Sequence, residues 1–128
     1  MKILIDTHYV VAHAADDIEQ RYPDFAGVLR RPEVEAYVSV ASLWEIAIKS
    51  RLGKLEIRRP LDVLEAYLLA SGVLVLPVAT KHVVASIDPP PATKDPFDRL
   101  LLGVCATEGM RLATIDRSLA DHPLALRA

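Results

Sequence analysis

Short runs of consecutive apolar residues alternate along this chain with longer stretches in which apolar positions recur every three or four residues. Runs of the first kind suit strands buried on both faces of a parallel sheet, and the second kind suits amphipathic helices. Ile3, Leu4 and Ile5 make the first run, which predicts a central strand with Asp6 at its carboxyl end. Further strands are expected over residues 36–40, 73–76 and 111–115, with a last short one over 124–126. A helix is expected over 7–15, and a second opens at Asp16-Asp17 and runs to about residue 31, where Pro32 stops it. Ser42 begins the next, with Leu43, Ile46 and Ala47 on one face and Gly53 as a cap after its end. Residues 61–70 and 80–86 carry weaker helical patterns. The clearest amphipathic segment opens at Asp95-Pro96, places Phe97, Leu100, Leu101, Val104 and Cys105 at i, i+3, i+4, i+7 and i+8, and ends at Glu108-Gly109.

Strands alternating with helices imply a parallel sheet covered on both faces. The expected fold class is therefore α/β, a three-layer α/β/α sandwich in a single domain over residues 1–128. The chain is long enough to bury a core of its own, and no internal repeat is present.

Composition adds three constraints. A hydrophobic fraction of 52% beside 25% charged residues leaves apolar surface to spare, so self-association is expected. Apolar runs such as 73–78 fall far short of the roughly 20 residues of a membrane span, and Asp6 interrupts the opening apolar stretch, unlike a signal peptide. A cytoplasmic protein with no membrane partner is the expectation. The net charge of -2 gives no global attraction to nucleic acid, so phosphate binding would need local basic groups or bound cations. Cys105, among Leu101, Leu102 and Val104, is read as buried packing, and His8, His13, His82 and His122 show no metal-ligand spacing.

The acids carry the chemistry, although each has a local explanation. Asp6 can cap the helix that follows it. Ser42-Leu43-Trp44-Glu45 matches a capping box. Asp95-Pro96-Phe97-Asp98 places a cap before a proline, with a second acid in the first turn, and Asp116 precedes Arg117-Ser118 as another cap. Jointly, however, they fall at strand ends or in the first turns of helices after strands, which a parallel sheet collects along one edge. Carboxylates gathered there raise one another's pKa or require a cation. Oxygen donors without Cys or His favour Mg²⁺ or Mn²⁺ over zinc, and such an ion can support in-line displacement at a phosphate.

These residues resemble the PIN-domain ribonucleases, and in particular the VapC-type toxins of bacterial toxin-antitoxin pairs. The resemblance rests on Ile5-Asp6-Thr7-His8, on Val40-Ala41-Ser42-Leu43-Trp44-Glu45-Ile46-Ala47-Ile48-Lys49, and on Arg51-Leu52-Gly53-Lys54-Leu55. It continues with Asp95-Pro96-Phe97-Asp98-Arg99-Leu100-Leu101 and Thr114-Ile115-Asp116. It implies an α/β/α fold, endonucleolytic RNA cleavage, a homodimer, and inhibition by a cognate VapB-like antitoxin. It also implies a pocket of Asp6, Glu45, Asp98 and Asp116 around Mg²⁺ or Mn²⁺. Asp95 is then an outer ligand or the helix cap, with the cap preferred, and Thr114 and Thr7 would hold carboxylates by hydrogen bonds. Lys49, Arg51 and Lys54 are either phosphate contacts or a solvated face with a Glu45–Lys49 pair. Trp44, followed by Ile48 at i+4, is read as core rather than as a base-stacking residue.

Two other classes compete. A phosphoacceptor receiver also has a parallel sheet and an acidic Mg²⁺ pocket, but it needs an adjacent acidic pair after the first strand and a lysine after the last. Here Asp6 is followed by Thr7, and no lysine follows Lys94. The third class is a catalytically silent PIN-like scaffold, which metal titration with an activity readout would separate from the nuclease.

Overall fold

The computed structural model describes residues 1–126. Among these, β1 (Lys2–Ile5), β2 (Glu35–Ser39), β3 (Leu74–Leu76) and β4 (Arg111–Ala113) form one sheet of order β3-β2-β1-β4, parallel throughout. β1 is central, as its apolar run predicts, and Ile3, Leu4 and Ile5 are at most 2% exposed. Because successive side chains of a strand point to opposite faces, Ile3 and Ile5 enter one core and Leu4 enters the other.

The first core is closed by α1 (Thr7–Ala14), α2 (Ile18–Arg21), α3 (Pro23–Leu29), α4 (Val40–Arg51) and α5 (Leu64–Ala70), which contribute Val10, Phe25, Ile46 and Leu68 among others. The second is closed by α7 (Pro96–Glu108) and α8 (Arg117–Ala120), through Leu101, Leu102, Val104 and Leu119. This is the three-layer α/β/α arrangement. A short α6 (Thr80–Val84) packs on α7 so closely that a Cβ at Gly103 would lie 2.2 Å from the His82 carbonyl oxygen. Cys105 is buried, and burial pushes its thiol up to about 12. Among the described residues no helix is long and apolar enough to cross a membrane.

Four expectations are corrected. The helix expected to run to about residue 31 is two helices, because Pro23 cannot extend α2 and holds Tyr22 outside the helical region at φ -136°, ψ 66°. α4 starts at Val40, two residues before Ser42, with Ser39 as its cap. β2 runs into it without a loop, and Ser39, still extended, accepts a hydrogen bond from the Ala41 amide at 3.0 Å. Ser42 lies inside the helix with its hydroxyl buried, so the capping box is absent. The last strand is reduced to one bridge between Ala125 and Leu112, since Pro123 immediately upstream has no N–H to extend it. Trp44 is not core. It is 61% exposed, because the buried face of α4 comprises Ala41, Ser42, Glu45 and Ile46.

Candidate active site

β1 and β4 place Asp6 beside Thr114. Their register pairs Ile5 with Ala113 and continues through the Asp6 amide, which donates to the Ala113 carbonyl at 3.0 Å. The residues one step further are therefore Asp6 and Thr114, and the Thr114 hydroxyl donates to Asp6 Oδ2 at 2.5 Å. Asp6 Oδ1 accepts from the Thr7 amide at 2.7 Å as the cap of α1. The Thr7 hydroxyl in turn donates to Glu45 Oε1 at 2.6 Å, fixing the second turn of α4 against the start of α1. Glu45 Oε2 meets Lys49 Nζ at 2.7 Å.

α7 and α8 enter the same edge by a repeated local device. In Thr93-Lys94-Asp95 and again in Thr114-Ile115-Asp116, the threonine hydroxyl accepts from the amide of the aspartate two residues on, at 3.1 and 3.0 Å. Each aspartate then caps a helix, Asp95 accepting from the Phe97 amide at 2.8 Å and Asp116 from the Ser118 amide at 2.9 Å. Each threonine also donates to a different buried acid, Thr93 to Asp98 Oδ2 at 3.1 Å and Thr114 to Asp6. Asp95 is thus a helix cap by geometry, and it is exposed.

Asp6, Glu45 and Asp98 are buried beneath this edge, and Asp116 is half-buried. Burial, followed by the charge of Asp95, pushes Asp98 up to about 6, with smaller contributions in the same direction from Asp6 and Asp116. Asp116 is held below its usual range by the hydroxyl and amide of Ser118. Lys49 is raised chiefly by its hydrogen bond to Glu45, with further help from the charges of Asp95 and Asp98. The four acids therefore share one electrostatic neighbourhood. Among the described residues, though, no three His, Cys, Asp or Glu side chains converge as a closed ligand set. The acids line an open edge.

Hydroxyl groups hold all four of these carboxylates, that of Ser118 reaching Asp116 Oδ1 at 2.8 Å. A neutral hydroxyl fixes the direction of a carboxylate without cancelling its charge, whereas a lysine or arginine would do both. Among the described contacts, Glu45 carries the permanent cation Lys49, and Asp6 meets a cation only when His8 is protonated. An oriented, under-neutralised set of hard oxygen donors suits Mg²⁺ or Mn²⁺. Arg51 and Lys54 lie exposed at and beyond the end of α4, away from these hydrogen bonds.

Two residues of the site were not singled out in the sequence. His8 is exposed and is raised by its hydrogen bond to Asp6, against partial desolvation. Its signal was position alone, two residues past the strand-end aspartate. Thr93 lay hidden behind a proline-rich loop, and only its Thr-x-Asp spacing, shared with Thr114, marks it.

Comparison with known proteins adds the following. A family model described as the PIN domain matches residues 3–123. No curated protein matches the chain. Among solved structures, VapC20 of Mycobacterium tuberculosis, described as a sarcin-ricin loop cleaving toxin, superposes with a TM-score of 0.60 at 18% identity. That superposition covers 98% of this chain and 99% of that one. At such identity the likeness bears on the fold.

Proposed function

The chain belongs to the PIN domain family, and from that premise we propose that it is a Mg²⁺- or Mn²⁺-dependent endoribonuclease, the toxin of a VapBC-type pair. The observation that carries this reading is the hydroxyl-held acidic edge, in which Asp6, Glu45 and Asp98 are buried and oriented with little neutralisation. Asp6 and Asp98 would hold the ion, with Glu45 and Asp116 completing the pocket. The bound ion supplies charge neutralisation at the phosphodiester and a lowered pKa for the attacking water.

The chain's own groups do the rest. Thr114, Thr7 and Thr93 keep the carboxylates aimed at the open edge. Lys49 tempers the charge on Glu45 and stands where an incoming phosphate would pass. Asp98 adds its charge only as pH rises through about 6. Family membership sets the receiver alternative aside.

The finer parts of the reading are a cytoplasmic protein, RNA as substrate, a VapB-like antitoxin as inhibitor, and a homodimer. The dimer is supported by an exposed apolar surface around a cleft of about 320 Å³, lined by Trp44, Ile48, Pro96, Phe97 and Leu100. The deciding experiment is cleavage of a mixed transfer and ribosomal RNA pool by purified antitoxin-free protein, with Mn²⁺, with Mg²⁺ and with chelator, beside Asp6→Asn prepared identically. Metal-dependent cleavage that disappears in Asp6→Asn is expected. Full activity in a folded Asp6→Asn protein would sink the assignment, and a folded, Mn²⁺-binding protein that leaves all RNA intact would favour the silent scaffold.

A further inference from the structure

A second concavity opens beside the acidic edge. It has a volume of about 180 Å³ and is walled by His8 of α1, Arg21 and Tyr22 at the end of α2, Lys49 of α4, and Leu55 and Glu56 beyond α4. That is below the roughly 300–1,000 Å³ usual for drug-sized ligands, which suits one planar group. Thr7 and Lys49, which hold Glu45, also line it, so the cleft begins where the carboxylates end.

We propose that this cleft receives one unstacked nucleotide of the RNA strand next to the phosphate presented to the acids. For its position beside a cut, the proposal rests on the nuclease reading above. Three observations carry it. First, the chain has a net charge of -2 and its reactive edge is acidic, so a flanking phosphate needs local cations. Lys49 and Arg21, both in the wall of the cleft, supply them, and Arg21 reaches its ion-pair partner Asp17 only at 3.9 Å.

Second, Tyr22 offers an aromatic face that is already fixed. Its ring meets Tyr9 edge-on at 4.8 Å, Tyr9 stacks on Phe25 at 3.9 Å, and the Arg21 guanidinium lies 5.4 Å from the Tyr22 centroid. Single-stranded RNA is recognised mainly by stacking unpaired bases on such rings and guanidinium planes. A ring already held by its neighbours loses little freedom when a base docks.

Third, the wall of the cleft also carries a carboxylate, Glu56. Glu56 repels phosphate and attracts hydrogen-bond donors, so a bound nucleotide is favoured with its phosphate on Lys49 and Arg21 and its base edge on Glu56. An acceptor there favours a base with an exocyclic amine over uracil. The cleft therefore supplies both grip and a base preference that the four acids cannot supply.

The test is fluorescence anisotropy of labelled single-stranded RNA octamers on full-length Asp98→Asn protein, which reads binding independently of turnover. Tyr22→Leu is expected to weaken binding about tenfold, and Arg21→Ala to reduce the slope of log affinity against log salt by about 1. Glu56→Gln should erase the preference between octamers differing in one base. Parental affinity and salt slope in both Tyr22→Leu and Arg21→Ala would overturn the proposal even if the wild-type protein cleaves RNA. Conversely, loss of binding in these variants would sustain it even if no cleavage were found. Arg21 is exposed and outside the core, so it decides the matter should Tyr22→Leu fail to fold.

Discussion

Thr114 donates its hydroxyl hydrogen to the Asp6 carboxylate at 2.5 Å, across 108 positions of sequence. The parallel register of β1 and β4 brings the two residues together, so the contact belongs to the fold rather than to a mobile loop. It orients Asp6 while leaving its charge for a cation. Thr114→Val keeps the shape and removes the donor, and it is expected to lower metal-dependent cleavage about 10–100-fold. Thr114→Ser should restore it. Titration of cleavage and of the melting temperature with Mn²⁺ checks both. Unchanged Mn²⁺ dependence in Thr114→Val would remove Asp6 from the ligand set.

Asp98 makes the stability of the metal-free protein fall as pH rises. Its folded pKa of about 6 lies above the ordinary 3.8. The folded state thus binds the proton more tightly, and this stabilisation is complete below 3.8 and is lost as pH rises through 6. His8, raised by Asp6, acts in the same direction above its ordinary 6.5. Asp116, held low, acts oppositely but only in the acid range below about 4. In chelator, stability is expected to drop between pH 5 and pH 8, and Asp98→Asn should remove about 1 kcal/mol of that drop. Added Mn²⁺ should stabilise more at pH 8 than at pH 5, since a ligand carboxyl must be ionised to bind. Urea melts at both pH values give the answer.

The pair of Lys49 with Glu45 sets metal affinity against substrate affinity. The lysine side chain is 44% exposed and the glutamate 8%, so the pair is worth up to about 1 kcal/mol. Lys49→Met takes a competing cation off Glu45 and a positive charge off the nucleotide cleft. Mn²⁺ binding measured without RNA should tighten about two- to fivefold, while RNA binding weakens. Unaltered Mn²⁺ affinity would place Glu45 outside the ligand set.

The sheet was legible because Ile3, Leu4 and Ile5 are buried on both faces and leave no other reading. Helix ends marked by backbone chemistry were equally legible: Gly53 and Gly109 take positive φ after α4 and α7, and Asp95 caps before Pro96. The start of α4 was not, because Ser39 and Ser42 offer the same cap chemistry and only the direct run of β2 into the helix chooses between them. Trp44 was misjudged for a related reason. Periodicity groups it with Ile48, but Glu45, bonded to Thr7, takes the core-facing position beside Ile46 and leaves Trp44 outside. A hydrogen bond between residues 38 apart leaves no trace in local pattern.

The outward position of Trp44 has a consequence at the surface. Trp44 is 61% exposed and packs edge-on against Phe97 at 5.5 Å, and with Ile48, Pro96 and Leu100 it borders the apolar cleft on α4 and α7. Val83 and Val84, 56% and 72% exposed, extend the same apolar character along α6. Burying the 61% of a 150–250 Å² tryptophan that is still exposed contributes roughly 2–4 kcal/mol at about 25 cal/mol per Å², before the costs of association are subtracted. If this face joins two copies, a two-fold contact counts each substitution twice. Trp44→Ser is therefore expected to weaken the dimer at least about 100-fold. It should leave the melting of the monomer unchanged, because Trp44 contributes little to either core. Sedimentation across a concentration series separates these effects. A Trp44→Ser protein that dimerises as tightly as its parent would move the interface elsewhere, and a parent that stays monomeric at high concentration would refute the dimer itself.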